Sequence, residues 1–297
     1  MRVPLPAAIT TTSIAVMVIS LHLSDIIRQR LLGRIKSWLC TLLMALVMFA
    51  LAGCSLVETG YNQSPWLLQW WLDGQLDLDS DQEQALRGEL RTLLAWHRQQ
   101  QLPEVIRSVQ VLMEWTGQDL QASQTCGFKD EVLNSLPALT HQAGARLAGT
   151  ALGLREAQIN HLRRYFDVDN PKWREEWLDG SDADRLQRRF KRALERIEYY
   201  YGKLDSNQRQ LLRQILSHSP YHPPTAWAER QRRQLDMIDT LDRIRLGPSD
   251  LSKSTQAVQE LILRMLNPPV ETHRQHVQDN LQFVCAASAR MHNAMRP

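Results

Sequence analysis

The sequence predicts an all-α protein, a single multi-helix, bundle-like domain behind an apolar N-terminal segment. Beyond Gln63 the apolar residues recur at three- and four-residue spacing, as on helix faces, and not in strand-like alternation. No run of alternating β-branched residues bounded by turn signals competes with that pattern. The chain has 297 residues, 43% hydrophobic and 23% charged, with only 13 glycines and 13 prolines, which is the composition of a folded body with little loop.

The N-terminus divides the chain into residues 1–53, a targeting segment, and residues 54–297, the helical body. Five basic residues (Arg2, Arg28, Arg30, Arg34, Lys36) and one acid (Asp25) fall in the first part, leaving 30 basic and 31 acidic residues from Cys54 onward. The formal net charge of +3 therefore belongs to the N-terminus. A near-neutral body has no excess charge for phosphate binding, which argues against nucleic acid as a partner.

The run from Ser37 to Ala52 carries no charge and follows Arg34 and Lys36. It is short for a spanning helix, which needs roughly 20 apolar residues, and suits the apolar core of an export signal. Leu51, Ala52, Gly53 and Cys54 then resemble the lipobox of bacterial lipoproteins. The resemblance implies that the Cys54 thiol receives a diacylglyceryl group, that the signal is cleaved before it, and that no other cofactor is needed. Several acyl chains hold a protein on a membrane where one does so only marginally. The competing reading is a plain transmembrane anchor in which Cys54 is incidental. Ser55, where an inner-membrane retention signal carries aspartate, implies an outer-membrane, periplasm-facing address. A further apolar run, Val3 to Leu23, fits an over-called start, with translation beginning near Leu31 or Leu32; an extra membrane span is its alternative.

Of four cysteines, Cys40 leaves with the signal and Cys54 carries lipid, so Cys126 and Cys285 remain. In an oxidising exported compartment they are a candidate disulfide; two separate buried thiols are the other reading. Neither has a partner at metal-ligand spacing, so no metal is expected.

Along the body, Leu78, Ala85, Leu86, Leu90, Leu93 and Leu94 mark the face of one helix. Pro103 suits the first turn of the next, 103–121. Further helices are expected at 129–148, 155–167, 171–179, 182–203, 206–217, 224–245, 251–266 and 269–293. The nonapeptide "LDSDQEQAL" (Leu78–Leu86) recurs as "LDSNQRQLL" (Leu204–Leu212), and "LREAQINHL" (Leu154–Leu162) keeps its Leu-x-x-x-Gln-x-x-x-Leu frame. Asp79 with Gln82, and Asp205 with Gln208, have the spacing of a capping box at a helix start. The frame also resembles the motif of LTxxQ-type periplasmic chaperones and stress sensors, with aspartate in place of the usual threonine. That resemblance implies a helical, cupped protein that holds unfolded chains.

A broader resemblance follows from "GYNQSPWLLQWWLD" (60–73), "AWHRQQQLPEV" (95–105), "WREEWLDGS" (173–181), "YYGKLDSNQRQLLRQ" (200–214) and "AWAERQRRQ" (226–234). In that order they resemble a family of uncharacterised Gram-negative lipoproteins known as a domain of unknown function. It implies an exported, lipidated, helical protein and no catalytic residue.

Catalytic signatures are missing. His273 and His276 lie three apart near Glu271, without a His-Glu-x-x-His frame, and His218 and His222 sit in a proline-rich connector. No nucleophile elbow or phosphate-binding glycine loop occurs. Trp66 and Trp70, i and i+4 behind Cys54, form a stripe for a membrane interface or for the core. Trp96, Trp115, Trp173, Trp177 and Trp227 suit helix contacts, and Tyr199, Tyr200 and Tyr201 must fan around their helix. Arg185, Arg188, Arg189, Arg192 and Glu195 read as a mixed-sign solvated face, with a patch for anionic partners as the sharper idea. The functional expectation is a non-enzymatic envelope module bound to the membrane through Cys54 and to another envelope protein. A chaperone-like sensor is the alternative and a hydrolase the lesser one.

Overall fold

The computed structural model describes residues 58–295. The apolar runs, the Leu51–Cys54 motif and Cys54 itself lie outside the described residues. Residues 58–62 are helical and fall in the unit Met1–Gln63, separate from Ser64–Pro297. From Ser64 on, the described chain is helix after helix: α1 (Ser64–Leu76), α2 (Ser80–Gln100), α3 (Leu102–Trp115), α4 (Ala122–Leu152), α5 (Glu156–Trp177), α6 (Asp182–Tyr201), α7 (Ser206–Ser217), α8 (Pro223–Leu246), α9 (Leu251–Leu266) and α10 (Glu271–Met295). No strand occurs among them, so the all-α expectation holds.

The axis of the body is the pairing of α4 with α9, the most extensive helix contact among the described residues. Its cause is a stripe of small residues on α4. Thr140, Gly144, Ala148 and Ala151 are buried at helical spacing, as are Ser254, Val258 and Leu261 on α9. At Gly144 a Cβ would lie 2.3 Å from Gln259 Cγ and 3.0 Å from the Gln259 backbone nitrogen. Only glycine lets the two backbones come this close.

Around that axis a main core gathers Leu78, Leu86, Leu90, Leu154, Ile159, Leu162, Phe166, Leu241 and Val258, from α2, α5, α8, α9 and the loops before α2 and α5. A smaller cluster, Phe190, Leu204, Leu212, Ile215 and Met291, joins α6, α7 and α10. Cys126 and Cys285 are paired with their Cα atoms 5.0 Å apart, linking the first turns of α4 to α10. Thr125 Oγ1 donates to Cys285 O beside the bridge (2.7 Å), and Asn293 exchanges hydrogen bonds with the Leu120 backbone (2.8 and 3.0 Å).

Three helices depart from the sequence-based boundaries. α3 ends at Trp115 instead of 121, because the Thr116 N–H turns back to Met113 O (3.3 Å) and the Leu120 N–H is taken by Asn293 Oδ1 (2.8 Å). α4 begins at Ala122 instead of 129, because Gln124 Oε1 accepts from the Gln121 backbone N–H (2.8 Å) and starts the helix early. The expected helices 155–167 and 171–179 are one continuous α5, with Pro171 inside it. Proline removes a donor and ordinarily breaks a helix. Here the residue before it is clamped: Asn170 exchanges hydrogen bonds with Gln234 (3.0 and 2.8 Å) and accepts from Arg230 Nε (3.0 Å). Contacts with α8 thus hold the turn that the proline weakens.

Candidate functional site

Three of the Trp-rich words, 60–73, 173–181 and 226–234, converge on one groove. A cavity of about 620 Å³ is lined by Trp71 of α1, Tyr165 and Trp173 of α5, Tyr221 of the connector, Glu229, Arg230 and Arg233 of α8, and His276 of α10, among others. Trp173 and Trp227 stack with ring centroids 5.4 Å apart, and Arg230 and Arg174 lie 5.8 and 5.9 Å from those rings. Tyr221 packs edge-on to Trp177 and against His276. A second cavity of about 250 Å³ runs into the main core between α1, α4, α5, α8 and α9. Trp71, Gln75, Met237 and Met265 line both, so the two are lobes of one groove, one charged and one apolar.

A buried ion network supports the charged lobe. Glu229 accepts from Arg232 (2.7 and 2.8 Å), Arg233 Nε (2.7 Å) and His273 Nδ1 (2.8 Å). Asp236 accepts from Arg232 (3.1 Å) and from Arg264 (2.8 and 2.9 Å). Burial alone would raise both carboxyls, but the hydrogen bonds and positive charges of these arginines outweigh it and hold both below the usual carboxylate range. Asp169 pairs with Arg230 (2.7 Å). Counted together, Arg230, Arg232, Arg233 and Arg264 face Asp169, Glu229, Asp236 and Glu260, four charges of each sign. A general base works best with a pKa near the working pH, and a carboxylate held ionised by so many donors is a strut instead. Burial, with His222 nearby, pushes His276 below the ordinary histidine range. Among the described residues no group of His, Cys, Asp or Glu is placed to hold a metal ion.

The helix-start repeats do more than cap. Asp79 accepts from Gln82 N (2.9 Å) while Gln82 Oε1 accepts from Asp79 N (3.1 Å); Asp205 and Gln208 do the same (2.9 and 2.9 Å). Gln82 then meets Gln158, its counterpart in the third copy, through reciprocal amide bonds (2.6 and 3.2 Å). Arg155 donates to Asp79 Oδ2 (2.6 Å), and Leu78, Leu86, Leu154 and Leu162 are all buried. Copies 78–86 and 154–162 are thus one interlocked pair. The copy 204–212 buries Leu204 and Leu212 in the smaller core, and its Gln208 donates to Ala294 O (2.9 Å).

α1 is built inside out. Its buried residues are Pro65, Gln69, Gln75 and Leu76, whereas Trp66, Leu67, Trp70 and Trp71 are 49, 44, 64 and 53% exposed. Gln69 is the reason. Its amide donates to Glu83 (2.9 Å) and accepts twice from Arg87 (2.6 and 3.0 Å), clipping α1 to α2 by its polar side. The Trp66/Trp70 stripe therefore faces away from the core.

The basic run of α6 is not an open cationic patch. Arg188 donates to the backbone carbonyls of Glu176 (2.8 Å) and Asp179, Arg185 to those of Leu178 (2.9 Å) and Gly180, and Arg192 pairs with Glu176. These cations satisfy the free carbonyls at the C-terminal end of α5. Arg189 lies over Tyr221 at 5.3 Å. Tyr199 and Tyr200 are exposed, and Tyr201 Oη reaches His292 Nδ1 (3.0 Å). His218 and His222 serve their own connector, His222 capping α8 through Thr225 N.

The groove, the Glu229 network and the Gln82–Gln158 pair all escaped sequence reasoning. The recurring glutamine frame and the Trp-rich words were their only signals. No curated protein and no solved structure matches the chain. The family of unknown function DUF6279 matches residues 74–264, from the end of α1 into α9, and the chain belongs to that family.

Proposed function

We propose that this chain is a lipid-anchored envelope lipoprotein, held on the outer membrane through Cys54, whose helical body is a non-enzymatic binding module. The observation that carries the reading is the inverted burial of α1. A helix that hides glutamines and offers three tryptophans and two leucines to solvent is poorly explained by core packing alone. Tryptophan prefers the membrane–water interface, where an apolar ring and an N–H donor are both accommodated. Trp66 follows Cys54 by twelve residues, no more than about 40 Å of chain even fully extended. An acylated Cys54 and this stripe can therefore engage one membrane. No helix of the described residues is long and apolar enough to cross a membrane. Metabolic labelling with palmitate tests it: the wild-type chain takes up label, and Cys54→Ser does not. Equal labelling of both would overturn the reading.

The groove is where the module would receive its ligand, since it joins aromatic stacking, arginine donors and an apolar recess. A chaperone-like role is the second reading, favoured by α3. That helix has no buried residue and exposes Val105, Ile106, Val109 and Met113. Suppression of aggregation of an unfolded client by the purified protein, weakened by Ile106→Ser/Val109→Ser, would support it; no suppression would remove it.

A further inference from the structure

Resting on the reading of the body as a binding module, and naming what it binds, we propose that the apolar lobe of the groove takes a single fatty acyl chain, whose oxygen-bearing head is received by Gln75 and Arg233. Protein interiors are packed to the density of organic crystals, so a lobe of about 250 Å³ among core leucines is a departure that asks for an occupant. It exceeds the ~150 Å³ apolar cavity that accepts benzene, and it is lined by residues of five helices. Apart from Gln75 and Thr150 its lining, Leu147, Leu162, Leu241 and Leu261 included, is apolar.

The polar requirement sits where this lobe meets the charged one. Gln75 lines both, is 6% exposed, and its buried Nε2 has no hydrogen-bond partner. An unmet amide donor inside a protein is costly and is met by an acceptor oxygen, as a carboxylate or ester supplies. Arg233 lines the charged lobe and bonds Glu229 through Nε alone, so its terminal nitrogens remain for an anionic head. Apolar recess, orphan donor and spare guanidinium follow one another in the order of an acyl chain, its carbonyl and its head.

The test uses the purified full-length protein in lipid nanodiscs and two photoreactive probes, a diazirine-bearing palmitic acid and a phosphatidylglycerol with the same chain. The expected result is crosslinks on the α8 and α9 peptides containing Leu241 and Leu261, from the free acid, the phospholipid or both, which identifies the source. Leu241→Trp fills the lobe and abolishes them. Gln75→Leu keeps the lobe but removes the donor, and lowers labelling about tenfold, the equivalent of one good hydrogen bond. Because Gln75→Leu also deletes an unmet donor, its urea midpoint stays level or rises, whereas a merely structural glutamine would lower stability and labelling together. Absence of label on those peptides with both probes, or label undiminished in Gln75→Leu, overturns the proposal. The Leu241→Trp result counts when its far-UV circular dichroism is native, and Gln75→Leu decides otherwise. The probes are added to purified protein, so this outcome is separate from whether Cys54 itself is acylated.

Discussion

Helices α1 and α9 border the same apolar lobe, yet they are built on opposite plans. α9 buries Ser254, Val258 and Leu261, and its partner α4 thins itself to Thr140, Gly144 and Ala148 so that the backbones meet. α1 buries Gln69 and Gln75 and turns its tryptophans outward. α9 is placed by packing, α1 by the hydrogen bonds that Gln69 donates to Glu83 and accepts from Arg87. An amphipathic residue pattern therefore tells which residues share a face, and the polar partners available nearby decide whether that face turns inward.

The strongest way to break this contrast is Gly144→Val. Overpacking at a position whose Cβ already meets backbone should cost about 3 kcal/mol, read as a lowered urea midpoint at unchanged slope. An unchanged midpoint would mean that α4 and α9 do not rely on close approach.

Acid comes next. Glu229 and Asp236 have folded-state pKa values below their unfolded ones, so their contribution is full above the ordinary carboxylate range and is lost as pH falls through the lowered values. His276, lowered chiefly by burial, likewise favours folding above the ordinary histidine pKa and opposes it below. Stability measured by urea titration should fall in two stages, a small loss from pH 7 to 5 and a larger one below pH 4. His276→Gln should shrink the first stage, to which His97, also lowered by burial, contributes, and Glu229→Gln should flatten the second.

Breaking the clip of α1, by Gln69→Leu, should cost about 1–2 kcal/mol, because Arg87 and Glu83 lose a partner while apolar area is gained. Smallest of all is the double variant Trp66→Ser/Trp70→Ser. Its stability should stay within about 0.5 kcal/mol of wild type, since neither ring is in the core, while binding to phospholipid vesicles drops. A large loss of stability there would return the stripe to the core and remove its role at a membrane.

Local features were legible in the sequence. Asp79 with Gln82 and Asp205 with Gln208 cap their helices as their spacing says, because a capping box closes within four residues. Counting made Cys126 and Cys285 a candidate pair, with two separate thiols as the alternative, and their pairing is seen in the fold. What stayed hidden depends on contacts across the chain. Pro171 read as a boundary because nothing near it announces the clamp from Arg230 and Gln234. Gln82 and Gln158 bond each other across 76 positions, and Glu229 gathers His273 from 44 away. The basic run on α6 looked like a solvated face because its true acceptors are backbone carbonyls, which carry no residue signature. The groove was visible only as recurring tryptophans with no stated destination.

The account stands on the acylation of Cys54, and the intact mass of the protein purified from its native membranes reads it directly. The account predicts a chain that begins at residue 54 and carries covalent fatty acids on its first residue. A mass that retains the preceding residues and includes no fatty acid would contradict it.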